Sequence, residues 1–242
     1  MISRILLLLL LISTVTFSQF EPNPELEWFT IETDHFYIHY HKGTERTAKL
    51  TAKIAEEIYG PITSLYKYAP EDKTSWIIND ESDISNGATD YYGNRIEIAS
   101  ASLDFDLRGT HNWLRNVITH EYTHVIQVQA SMKFSTKFPS LYIQFLNYEK
   151  ERRPDVLYGY PNTIISYPIS GVGVPAWFTE GTAQYQRQQL GYDYWDAHRD
   201  MILRMRVLGD KMLSWEDMGQ FASVTTYKAE SIYNSGFALS RY

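Results

Sequence analysis

The chain has 242 residues, 44% hydrophobic and 21% charged, an ordinary globular balance for one domain or two small ones. Its formal net charge of -7 and the lack of a basic run argue against a nucleic-acid surface. It contains no cysteine, which excludes disulfides, thiolate zinc sites and a cysteine nucleophile. Aromatic residues make up 15%, with 19 Tyr, which suits an aromatic-rich core or a peptide-binding cleft without choosing between them.

The N-terminus opens with Arg4, an apolar run from Ile5 to Ile12, and then Thr14, Val15, Thr16, Phe17 and Ser18. A short positive region, a short hydrophobic region and small residues at its end read as a signal peptide over residues 1–18, cleaved after Ser18. The run is too short to span a bilayer comfortably. Downstream there is no second membrane-spanning candidate. The expectation is an exported protein, periplasmic, cell-surface or secreted, that meets a membrane only peripherally if at all.

Further along, FTIETDHFYIHY from Phe29 to Tyr40 alternates partly with period two and predicts a strand pair. His35, His39 and His41 share one face there, which reads as a solvated strand face. Leu50, Ile54, Ile58, Ile62 and Leu65 have helical spacing, with Pro61 as an expected break or new first turn inside it. Ser75 to Asn79 and Arg95 to Ala101 read as strands, and Ser85 to Asp90 as a turn. From Trp113 the period becomes helical, and Trp113, Val117, His120 and His124 fall near one stripe of a helix reaching about Ala130. Residues 133–174 carry Pro139, Pro154, Pro161 and Pro168 and read as irregular. A second helix should open at Pro175 and stop at Gly191. Ala197 to Leu208 is a third, and a fourth begins at Ser231. The chain ends inside that last helix with no cap or breaker, and so reads as a piece of a longer protein. The expected fold class is α+β, with a small mixed N-terminal sheet followed by a helical half.

The chemistry concentrates in HEYTH, His120 to His124. At 3.6 residues per turn, positions i and i+4 lie about 40° apart around a helix and about 6 Å apart along it. Two imidazoles so placed can reach one ion from the same side. Glu121 points about 100° round from His120. It is badly placed as a third ligand and well placed to touch a water on the ion. A catalytic zinc needs three protein ligands and one open position. Glu180, in VPAWFTEGTAQY, lies early in the next predicted helix beside Trp177 and Phe178. A carboxylate beside two large hydrophobes should be partly buried, and buried Glu is rare unless it is paired or bound to metal. The metal ligands are therefore expected to be His120, His124 and Glu180, holding one Zn2+ per chain, with Glu121 as the catalytic base.

HEYTH followed by PAWFTEG resembles the gluzincin metallopeptidases, whose third ligand is a Glu on a later helix. The long aromatic interval between the two strings, with Phe134, Phe138, Tyr142, Phe145, Tyr148, Tyr158 and Tyr160, is most similar to the peptidase MA-like domain. That domain is often exported and joined to a TolB-like β-propeller. The resemblance implies a thermolysin-like zincin fold over residues 19–242, a peptide or protein substrate, and a β-propeller further along the full-length protein. The G-x-M-E-N string of the aminopeptidase branch is not found. The resemblance implies two further features. A Tyr after the third ligand stabilises the oxyanion, and SIYNSGFALSRY points to Tyr233, with Tyr227 as competitor. Substrate runs along an edge strand ahead of the zinc helix, for which RIEIAS, Arg95 to Ser100, is the candidate.

The expected function is an exported zinc metallopeptidase that hydrolyses peptide bonds with Glu-activated, zinc-bound water. The alternative is a catalytically inactive peptide-binding module on a zincin scaffold. A third reading, a structural zinc protein, would need a fourth ligand residue, and no residue near the strings supplies one.

Overall fold

The computed structural model describes residues 25–80, 85–91, 93–101, 112–131, 140–145, 163–168, 174–189, 197–219 and 225–241. The expected signal peptide and the stop at Gly191 lie outside these. Within them the chain is α+β, as its patterning predicts.

The sheet is built from β1 (Trp28–Glu32), β2 (Phe36–His41), β3 (Thr74–Asn79), β4 (Gly87–Asp90) and β5 (Arg95–Ala99), in the order β1-β2-β3-β5-β4. The pairs β2–β3 and β3–β5 are parallel, and the two outer pairs are antiparallel. Register aligns Ile31, Ile38, Trp76, Ile96 and Thr89 in one row across the sheet. Cross-strand partners share a face, so this row turns a hydrophobic surface to the helices and ends in a polar Thr.

Two helices cover that face. The first, α1 (Glu45–Tyr66), buries Ala48, Ala52, Ala55, Ile58 and Ile62. The second, α2 (Trp113–Ser131), buries Val117, Ile118, Tyr122, Val125 and Ile126 in the same core as Phe36, Ile38, Trp76, Ile78, Ile96 and Ile98. Asn112 caps α2, its Oδ1 accepting from the Arg115 N–H at 3.2 Å. The helix α1 does not break at Pro61. A mid-helix proline costs roughly 3 kcal/mol, whereas Ile58 and Ile62 on either side are fully buried, worth about 1.5–3 kcal/mol each. Packing therefore outweighs the proline. Leu50 and Leu65, which the spacing placed on the buried stripe, are instead exposed.

Two other expectations need correction. Residues 87–90 form the strand β4 and not a turn, because pairing with β5 and packing on α2 override the weak strand propensity of GATD. The stretch expected to be irregular contains an antiparallel pair, β6 (Ser140–Phe145) and β7 (Thr163–Pro168). The helical half comprises α3 (Ala176–Gln189), α4 (Ala197–Leu208), α5 (Trp215–Met218) and α6 (Thr226–Ser240). The last starts five residues before the expected Ser231, with Thr225 as cap, its hydroxyl accepting from the Lys228 N–H at 3.3 Å. The short α5 was not foreseen. Ser214 caps it, accepting from the Asp217 N–H at 3.1 Å. The described residues contain no helix long and apolar enough to cross a membrane.

Candidate metal centre

Unlike an ordinary surface helix, α2 is buried from Asn116 to Gln129 without interruption. The sheet and α1 cover one side, and α3 packs on another. The HEYTH string therefore lies inside the molecule, where polar side chains must be matched. On the side toward α3, His120 Nε2 lies 2.9 Å from His124 Nε2 and 2.9 Å from Glu180 Oε2. Glu180 Oε2 is 3.2 Å from His124 Nε2. The three sequence-predicted ligands thus converge, and they are the one group of metal-ligand residues among the described residues.

This arrangement fits zinc. With bonds of about 2.0–2.2 Å, tetrahedral ligands around one ion sit roughly 3.3 Å apart, close to the separations here. Two imidazole nitrogens and a carboxylate oxygen, each largely shielded from water, aim at one point. Their charges are coupled. Burial pushes the Glu180 carboxyl up, but His124 and His120 outweigh it and hold it far below the usual carboxylate range. Burial pulls His124 down, but Glu180 and then Glu121 hold it above its ordinary value. One feature departs from the usual pattern. Metal-bound His commonly donates its second N–H to an acceptor, whereas His124 Nδ1 is buried with no hydrogen-bond partner among the described residues.

Glu180 reaches the site because α3 is fixed at its start. Pro175 O accepts from the Phe178 and Thr179 N–H groups, and Ala176 N–H donates to Gly219 O at 3.1 Å. Trp177 packs edge-on against Trp215, ring centroids 5.4 Å apart. Glu180 is partly buried as expected, but not by both hydrophobic neighbours, since Phe178 is exposed. Its helix α3 packs against α2 and α6.

The helix α3 crosses α6 through two glycines. A methyl group at Gly181 would lie 2.8 Å from Gly236 Cα and nearer still to its carbonyl, and one at Gly236 would overlap the Trp177 carbonyl. Only glycine at both positions permits this approach. It places Tyr233, three residues before Gly236, beside the ligands: its ring centroid is 5.9 Å from that of His120. Tyr233 lies mid-helix and not at the helix start, whereas Tyr227 is 72% exposed.

Glu121 is 6% exposed and faces β4. The Thr89 hydroxyl donates to Glu121 Oε2 at 2.7 Å and lies 3.0 Å from the Glu121 carbonyl oxygen. Gly87, on the same face of β4, lies so close that a methyl there would meet Val117 Cγ2 at 2.6 Å and Glu121 Oε1 at 2.8 Å. Neither residue was singled out from the sequence, because the segment read as a turn. The register of GATD against RIEIA was the signal that could have found them. The edge-strand expectation needs the same correction: RIEIA pairs on both sides, and the edge beside α2 is β4.

The three early histidines share no site. His35 Nδ1 lies 2.8 Å from Glu56 Oε2, His39 Nδ1 2.9 Å from Thr30 Oγ1, and His41 Nδ1 3.0 Å from Lys42 O. His41 is buried, against the expected solvated face.

No family model matches the chain. Comparison with curated proteins gave no match either.

Proposed function

We propose that this chain is an exported zinc metallopeptidase with a thermolysin-like arrangement, hydrolysing peptide bonds of a peptide or protein substrate. The observation that supports it is the convergence of His120 Nε2, His124 Nε2 and Glu180 Oε2 on one point, with Glu121 next to a ligand on the same helix. Bound there, zinc would act as a Lewis acid toward the scissile carbonyl and lower the pKa of a coordinated water to about 7. Glu121 takes the proton of the attacking water and returns it to the leaving amine. The Tyr233 phenol donates a hydrogen bond to the oxygen that becomes negative, and as a neutral donor it does so without bringing charge. The edge strand that the gluzincin resemblance calls for is β4, which lies against α2. An export signal over residues 1–18, with mature protein starting at Gln19, and a β-propeller further along the full-length protein complete this reading.

Zinc analysis and mass spectrometry of a digested peptide library test the reading together. The purified wild type should hold about one zinc and cleave peptides. His124→Ala should lose the zinc. Glu121→Gln should keep zinc and lose cleavage by at least about 10²-fold. A His124→Ala protein with full zinc overturns the site, and undiminished cleavage by Glu121→Gln overturns the mechanism. Retained zinc with peptide binding and no cleavage in the wild type favours the inactive peptide-binding module.

A further inference from the structure

One residue that touches Glu121 comes from the sheet. Thr89 ends the row Ile31, Ile38, Trp76, Ile96, Thr89, so the pleat directs its side chain toward α2 with the core residues. There its hydroxyl, 2.7 Å from Glu121 Oε2 and 3.0 Å from the Glu121 carbonyl, touches both the side chain and the backbone of one residue. Two residues earlier on the same face, Gly87 closes the other side of the carboxylate, where a methyl would come within 2.8 Å of Oε1.

We infer that Thr89, backed by Gly87, is a positioning residue that fixes the carboxylate rotamer of Glu121 and so couples the edge strand to the proton-transfer step. A carboxylate on a two-carbon stem samples several rotamers. A short hydrogen bond to a charged acceptor is among the strong ones, and here its donor is a β-branched residue with restricted χ1. The carboxylate is thereby held before substrate arrives, which is how a proton acceptor avoids reorganising at the moment of reaction. Among the described residues β4 is the outermost strand on this side of the sheet, so anything that pairs with β4 and shifts it also shifts the base. Glycine at position 87 lets the strand come close enough for Thr89 to reach.

This inference rests on the hydrolase reading for its kinetic arm only. Thr89→Val keeps the shape and removes the donor, and Thr89→Ser keeps the donor. Steady-state cleavage of a peptide chosen from the library digest should show Thr89→Val with unchanged zinc content, KM within about twofold and kcat down by about tenfold or more, the scale of a displaced catalytic group. Thr89→Ser should recover most of that loss. Equal kcat in wild type and Thr89→Val overturns the role, and so does a Thr89→Ser variant as slow as Thr89→Val, which would make the effect one of packing. A second arm needs no activity. In the metal-free protein, Thr89→Val should lower Tm by a few degrees, and by clearly less when Glu121 is already Ala, because the partner is gone. Additive shifts overturn the contact. A wild type that cleaves nothing sinks the hydrolase reading while leaving this thermal cycle to decide the clamp.

Discussion

Gly181 and Gly236 meet backbone to backbone where α3 crosses α6, and neither position has room for a methyl group. The obstacle at each is main chain, which cannot swing aside as a long side chain can. Gly181→Ala and Gly236→Ala should each therefore force the helices apart, at a cost of about 1–3 kcal/mol or more. The adjoining Glu180 and the nearby Tyr233 move with them. Thermal unfolding should show lower Tm for both variants, and zinc titration a weaker site. A Gly181→Ala protein with wild-type Tm and zinc affinity would show that the crossing has room for a methyl group.

Tyr233 and Tyr227 make a controlled pair on one helix. Tyr233 lies beside His120 and Tyr227 faces solvent. Tyr233→Phe should keep zinc and KM while kcat falls by about 10²–10³-fold, the usual cost of one oxyanion donor. Tyr227→Phe should be silent in the same assay. The reverse result would assign the donor to Tyr227.

Zinc held as proposed should also be a structural clamp, because His120 and His124 come from α2 and Glu180 from α3. A ligand that binds only the folded state, at a free concentration of 100 times Kd, adds about 2.7 kcal/mol. Calorimetry with a chelator should thus lower Tm, and added zinc should restore it. In Glu180→Ala the chelator effect should vanish.

The acid limb of stability should involve Glu56. Burial raises its pKa, but hydrogen bonds from Thr33 and His35 outweigh this and leave it below the ordinary value of 4.5. A carboxyl depressed on folding stabilises above its unfolded pKa and loses that contribution as pH falls through the lower, folded value. As pH falls through the ordinary value of 4.5 and below it the Tm should drop, and Glu56→Gln should flatten that drop while lowering Tm at neutral pH. Parallel curves for the two proteins would remove Glu56 from the account.

How far the sequence spoke depends on which residues carried the signal. His120 and His124 were legible because a helix imposes their spacing, and no distant partner is needed to read it. Glu180 was legible because a carboxylate in an apolar string requires an explanation. Thr89 was not, since GATD has weak strand propensity and gains its meaning only from its register with Ile96 and Ile98. The continuity of α1 through Pro61 was hidden for a related reason: tertiary burial of Ile58 and Ile62 decides it. The α3–α6 crossing depends on two glycines 55 positions apart (236 minus 181), which no local pattern connects.

Because α2 is enclosed from Asn116 to Gln129, it has no outward side on which neutral change can collect. Most substitutions along it must disturb the core or the buried cluster of His120, Glu121 and His124. The outer stripe of α4, with Met201, Met205 and Leu208 open to solvent, is the opposite case. A saturation library selected for folding and zinc retention should give a continuous band of intolerance over α2 and broad tolerance on that stripe. Divergence in this fold is thus channelled toward its rim, and two descendants could share little beyond one helix and the carboxylate that meets it.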